Sequence, residues 1–287
     1  MELTRNILIK ANPGTGKTTS LADRVIELIN AGVNEKEILC LTFTNKAVDE
    51  MFDKISKKLK ENGIEASKIN GLTISTFHSF CNSYLSEQGK GYEIISNNFI
   101  RFSIFKSLEK SNAFNYDRDY IIQELVPKIE NSIRYIKSFG ITPEEIDIQA
   151  AKNELINKSF LENMGSVTVE EILAFFDYFI LAFKDYEREK GETNIDYNDL
   201  LKRFLIEYDP LKKHYKYVLV DELQDLNDVE AGIAKLLGDY LFLVGDRKQS
   251  IFGFQGGSLK NFVEFQKLSN LEQMTRGLNY RSYSSIL

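Results

Sequence analysis

Apolar residues along this chain fall into two rhythms. Short β-rich apolar runs occur at Ile7 to Ile9, Ile38 to Thr44, Leu72 to Phe77, Lys216 to Glu222, Tyr240 to Asp246 and Leu271 to Thr275. Such near-continuous runs fit strands covered on both faces. Between them lie helical patterns. Lys17 to Ala31 places Leu21, Val25, Leu28 and Ile29 on one face, with Gly32 as a stop, and further helices are predicted near Lys46 to Lys60, Val229 to Leu237 and Asn261 to Gln266. Strand and helix alternating in this way predict an α/β fold with a parallel sheet. From about Leu85 to Lys190 the alternation stops and no convincing strand is found. Helices are expected there over Phe99 to Lys110, Tyr120 to Phe139 (Pro127 in its first turns), Pro143 to Asn157 behind a Thr142 N-cap, and Val169 to Glu189. The expected organisation is an α/β domain in two parts, 1–85 and 191–287, with a helical insertion at 86–190.

Composition narrows the function classes. With 43% hydrophobic residues, including 20 Phe and 14 Tyr, a well-filled core is affordable. A net charge of −6 rules out a generally cationic nucleic-acid binder, so any nucleic acid must be held by a local patch or by stacking. Cys40 and Cys81 have no C-x-x-C spacing and stand apart from His78 and His214, which argues against zinc and fits a reducing compartment. The first residues lack a signal-peptide layout. The most apolar stretch, Ile172 to Phe183, is too short to span a bilayer and carries Asp177. A soluble, cytoplasmic protein without membrane contact is expected.

The chemistry gathers at two strand ends. After Ile7 to Ile9 the chain reads Ala11-Asn12-Pro13-Gly14-Thr15-Gly16-Lys17-Thr18-Thr19, one residue short of the strict phosphate-loop pattern because Ala11 holds its first position. Pro13, Gly14 and Gly16 let the backbone curl so that successive N–H groups form an anion nest at a helix N-terminus. Lys17 can then reach terminal phosphates and the Thr18 hydroxyl can bind Mg²⁺. A Gly/Pro turn that merely precedes a helix would not explain Lys-Thr at this offset. More than two hundred positions later, Val218-Leu-Val delivers Asp221 and Glu222 at a strand's carboxyl end, where open α/β sheets bind ligands. Asp221 suits Mg²⁺ ligation and Glu222 suits orienting or deprotonating a water. Acids capping a strand would be unremarkable alone; with the phosphate loop they share a metal. Gln249, after another predicted strand, can contact a γ-phosphate or belong to an ordinary polar loop.

Together these segments resemble the UvrD/Rep/PcrA-type superfamily 1 helicases. The resemblance rests on Ala11 to Thr18, Leu41 to Met51, Thr76-Phe-His-Ser79, Ile195 to Leu201, Val218 to Asn227, Val244 to Gly257 and Asn279-Tyr-Arg-Ser282, in the family's order. It implies the first RecA-like P-loop NTPase domain with an inserted all-helical subdomain, using ATP and Mg²⁺. It also implies that Lys17, Thr18, Asp221, Glu222 and Gln249 bind and hydrolyse ATP, with Asn12 to Thr19 around the phosphates. Arg281 would reach the γ-phosphate and Tyr280 would stack on adenine. Single-stranded DNA would meet Phe43, Thr44, Asn45 and His78, with Phe252 and Phe254 offering further stacking surface. Core packing is the competing reading for Phe43 and the preferred one for Phe77; His78 reads equally well as a satisfied loop histidine, and His214 as a surface residue.

The departures carry information. A Gln that reads adenine in the family is missing before the loop, and Thr19 stands where relatives often carry Arg. Gly253 and Gln255 replace two arginines, which should weaken DNA-backbone contact. The second RecA-like domain is not in this sequence and would have to come from elsewhere, so the chain is expected to hydrolyse ATP poorly alone. A stand-alone nucleotide-binding regulatory module is the alternative. A small-molecule kinase is less well supported, because no acceptor-substrate motif is visible.

Overall fold

A computed structural model describes residues 3–11, 16–111, 117–156, 168–246 and 259–276. The chain divides into two compact units, Met1–Gly89 with Leu200–Leu287, and Lys90–Asp199.

The first unit is built on a six-stranded parallel sheet. Its strands are β1 (Asn6–Ala11), β2 (Ile38–Thr42), β3 (Thr73–Thr76), β6 (Tyr215–Val220), β7 (Gly238–Gly245) and β8 (Leu271–Arg276), in spatial order β3-β2-β6-β7-β1-β8. The chain leaves β1 through α1 (Lys17–Asn30) and enters β2 three places away, and β6 and β7 later fill that gap. The apolar runs are strands because both faces are covered. One face, carrying Ile7, Ile9, Ile38, Cys40, Leu219 and Val244, packs on α1 and α2 (Asn45–Glu61) through Leu21, Val25, Met51 and Ile55. The alternate residues Leu8, Leu39, Leu41, Val218, Val220 and Leu243 are equally buried. Cys40 and Cys81 are buried free thiols, and burial pushes Cys40 up to about 12. Phe77 opens α3 (Phe77–Glu87) and lies in the core, as expected.

The second unit is helical around α4 (Asn97–Ser111), α5 (Val126–Lys137), α6 (Ile148–Leu155) and α7 (Val169–Lys190). Ile100, Ile104, Ile129, Ile133, Phe179 and Phe183 form its core. Three expectations need correction here. Residues Glu93–Ile94 (β4) and Asn194–Ile195 (β5) pair in parallel, so the stretch after Leu85 does hold a strand, too short for a periodic signal. The helix expected over Tyr120 to Phe139 passes through a π-helical stretch, Ile121–Leu125, ahead of Pro127. A proline there has no N–H to donate to the preceding turn, which the wider winding accommodates. The helix expected from Pro143 to Asn157 is two pieces. Thr142 and Glu145 close a capping box around a 3₁₀ turn, Pro143–Glu145, and Asp147 then caps α6 afresh by accepting from Ala150 N–H at 3.0 Å.

Beyond β5 the chain returns through α8 (Tyr197–Glu207) to β6, then α9 (Asp228–Leu236), β7, α10 (Leu259–Phe265) and β8. The start of α9 is a buried capping box. Asn227 Oδ1 accepts from Glu230 N–H at 2.8 Å, and Glu230 accepts from Asn227 N–H at 3.1 Å. Burial pushes the Glu230 carboxyl up to about 7; the Asn227 N–H opposes this and Asp225 adds to it. A carboxyl raised on folding binds its proton more tightly in the native state. Its contribution is therefore complete below about pH 4.5 and is lost as pH rises through about 7. Glu230→Gln, which keeps an acceptor for Asn227, should flatten this decline and be more stable than wild type at pH 8 by roughly 1–2 kcal/mol. Urea unfolding at pH 5 and pH 8 tests this; parallel curves for the two proteins would refute it.

Candidate nucleotide site

Parallel strands put their carboxyl ends on one edge of the sheet, and the predicted chemistry collects there. Gly16 stands at φ 80°, ψ 39°, a left-handed conformation that glycine adopts without strain, and α1 begins at the next residue. This turn presents Lys17 and Thr18 to the end of β6. Lys17 Nζ forms an ion pair with Glu222 Oε2, and Thr18 Oγ1 donates to Asp221 Oδ2 at 3.1 Å. The partners lie 205 and 203 positions apart in sequence.

The acid pair is held tightly. Asp221 N–H donates to Leu41 O of β2 at 3.1 Å, and Asp221 Oδ1 accepts from Glu222 N–H at 2.9 Å. Glu222 is left-handed at φ 51°, ψ 46°, which for a side chain with a Cβ costs about 1–2 kcal/mol and is held by its surroundings. Burial, then the charge of Glu222, raises Asp221 to about 6 against the opposing pull of Lys17 and Thr18. Asp225 is raised to about 6 by burial and the same neighbour. Among the described residues, three carboxylates crowded at one strand end face one lysine, so the pocket favours added positive charge.

The residues fit a magnesium–triphosphate. Thr18 and Asp221 supply the hard oxygens that Mg²⁺ prefers, and Lys17 supplies a cation for phosphate. Two further buried oxygens, Thr42 Oγ1 at the end of β2 and Asp225 Oδ1, have no hydrogen-bond partner among the described residues. The acidic trio Glu187, Asp196 and Asp199 of the helical unit offers no comparable site, because Lys137 and Lys190 already occupy it.

The other expected residues are distributed as follows. Phe43 is half-buried at the end of β2, while Thr44 and Asn45 are exposed. Thr44 Oγ1 is used as the N-cap of α2, accepting from Ala47 N–H at 3.1 Å. His78 is half-buried in the first turn of α3, beyond β3. Asn12, Pro13, Gly14, Thr15, Gln249, Phe252, Phe254, Tyr280 and Arg281 lie outside the described residues. His214 lies at the surface with Asp239 at 2.9 Å. Sequence reasoning missed Gln224, whose side chain bonds to Glu222, Asp225 and the end of β7. The signal was available as an uncharged polar residue inside the otherwise apolar and acidic run Val218 to Leu226.

Among the described residues no helix is long and apolar enough to cross a membrane. The family profile described as "UvrD/REP helicase N-terminal domain" matches residues 1–270. Srs2, an ATP-dependent DNA helicase of Saccharomyces cerevisiae, is 31% identical across the whole chain, which spans 25% of that protein. A probable DNA helicase of Mycoplasma pneumoniae is 28% identical over 98% of the chain and 51% of its own length. For UvrD1, an ATP-dependent DNA helicase of Mycobacterium leprae, the figures are 28%, 98% and 36%. The chain thus covers a quarter to a half of these relatives. With a phosphate-loop lysine and an acid pair meeting at the edge of a parallel sheet, and a profile match over nearly the full length, the chain belongs to the UvrD/REP helicase N-terminal domain family.

Proposed function

We propose that this chain is the ATP-binding portion of an ATP-dependent DNA helicase or translocase. It binds MgATP and single-stranded DNA, and hydrolyses ATP poorly until a second RecA-like domain is supplied. The observation that carries this reading is the meeting of Lys17 and Thr18 with Asp221 and Glu222. In the proposed mechanism Lys17 would turn from Glu222 to the terminal phosphates, and Thr18 and Asp221 would hold Mg²⁺. The metal's contribution is to neutralise charge that develops on the phosphate oxygens. Glu222, released from its ion pair, accepts the proton of the attacking water. Phe43, Thr44, Asn45 and His78, beyond the carboxyl ends of β2 and β3, support the reading of a DNA track. A half-buried ring there suits stacking, which tolerates any base and so suits a motor that moves along sequence.

ATP turnover measured with and without single-stranded DNA, and with a second-domain fragment added, tests the proposal. DNA should raise the rate several-fold, most strongly with the fragment present. MgATP binding that is indifferent to DNA in both settings would instead identify a nucleotide-binding regulatory module.

A further inference from the structure

Gln224 is 1% exposed, and its carboxamide bridges the ends of two strands. Its Nε2 donates to Glu222 Oε2 at 2.8 Å and to Asp225 Oδ2 at 3.2 Å, while its Oε1 accepts from Asp246 N–H at 2.8 Å. The amide's orientation follows from its neighbours, since carboxylates need a donor and a backbone N–H needs an acceptor. Space for it is reserved at the end of β7. A Cβ on Gly245 would stand 2.9 Å from Gln224 Oε1 and 2.9 Å from Leu223 Cβ.

Lys17 and Gln224 both bind the same oxygen of Glu222. A phosphate would compete for Lys17 through stronger, charge-assisted bonds, whereas a neutral amide has little to gain from leaving. We propose that Gln224 is the positioning residue for Glu222: once Lys17 turns to phosphate, the amide keeps hold of Oε2 and so directs Oε1 to the water. Because its other end is fixed to Asp246 N–H, the terminus of β7 sets where Glu222 stands. The inference rests on the ATPase reading above and names a residue for that same site.

Two substitutions test it. Gln224→Met keeps the bulk and loses both polar ends, and Gln224→Glu keeps an acceptor for Asp246 N–H but loses the donor to Glu222. With single-stranded DNA and the second-domain fragment present, each should lower kcat at least tenfold while the KM for ATP and the Kd for MgATP stay within threefold. In single-turnover measurements on a Glu222→Gln background, either change should add less than a twofold loss. A residue needed only for folding would lower binding as well, and its effect would add to that of Glu222→Gln. If wild type turns over ATP and both variants keep kcat within twofold of it, or if their losses add to that of Glu222→Gln, the inference is wrong while the ATPase reading stands. A wild-type protein that binds MgATP but never hydrolyses it under these conditions would sink the ATPase reading and this inference together.

Discussion

Glu222→Gln is expected to lower ATP turnover by about 10²–10⁴-fold while leaving MgATP affinity equal to wild type or tighter. The loss follows from removing the proposed base, whose left-handed backbone, neighbour Asp221 and Gln224 contact all fix its position. The unchanged or tighter binding follows from Lys17. In wild type a phosphate must displace the Glu222 carboxylate from the lysine, and a neutral amide is a weaker competitor. Lys17→Ala should behave differently, losing nucleotide affinity along with turnover, because the phosphates lose their cation and the crowded carboxylates lose theirs. Equilibrium titration with a fluorescent ATP analogue and single-turnover hydrolysis separate the two phenotypes. Full turnover in Glu222→Gln would move the base to another residue. Weakened binding in that variant would mean that the ion pair with Lys17 supports the site rather than competing for it.

The halves of this site were readable because each is a local pattern. Gly16-Lys17-Thr18 between a strand and a helix, and Asp221-Glu222 after an apolar strand, announce themselves within a few residues, and sheet topology then brings them together. The strands were readable for a related reason: Ile7 to Ile9 and Val218 to Val220 are buried on both faces, so their apolar character is continuous. Gln224 stands out in the sequence only as an uncharged residue in an acidic run; its role was not readable, because that depends on Asp246, 22 positions away. Nor was the pairing of β4 with β5, whose two residues each carry no period. Thr44 shows the limit of a residue type as a sign of function, since a hydroxyl just before a helix caps it whether or not DNA lies beyond. Lys137 and Lys190 went unnoticed because a lysine in an amphipathic helix reads as part of the wet face, yet both are buried.

Those two lysines carry the largest stability effect expected in the helical unit. Lys137 Nζ lies 2.6 Å from Glu187, 2.7 Å from Asp196 and 2.6 Å from Asp199, and Lys190 bonds Glu187 and Asp199. The Tyr186 hydroxyl donates to Asp196 at 2.8 Å, with both ammonium groups over its ring at 5.4 and 5.3 Å. Asp196 and Asp199 also cap α8: Asp196 Oδ1 accepts from Asn198 and Asp199 N–H, and Asp199 Oδ2 accepts from Asp196 N–H. The network therefore joins the ends of α5 and α7 to the start of α8. Lys137→Met keeps the stem's packing but leaves three carboxylates facing one lysine, and removing one partner from a buried ionic group costs about 3–5 kcal/mol. At roughly 4–8 °C per kcal/mol for a unit near 100 residues, the melting temperature of the helical unit, Lys90–Asp199, should fall by about 20 °C. The same network predicts acid sensitivity. Burial alone would raise Asp196, but Lys137 and Lys190 outweigh it and hold the carboxyl at about 2, below its ordinary 3.8. A lowered carboxyl stabilises the fold fully above its unfolded value, so this contribution persists above about pH 4 and is lost as pH falls through about 2. Thermal unfolding of wild type and Lys137→Met at pH 7 and pH 3 should show the gap narrowing in acid. A substitution that costs less than about 1 kcal/mol at pH 7 would mean that Lys190 alone satisfies the three acids, and a large gap independent of pH would mean that the loss comes from packing rather than from charge.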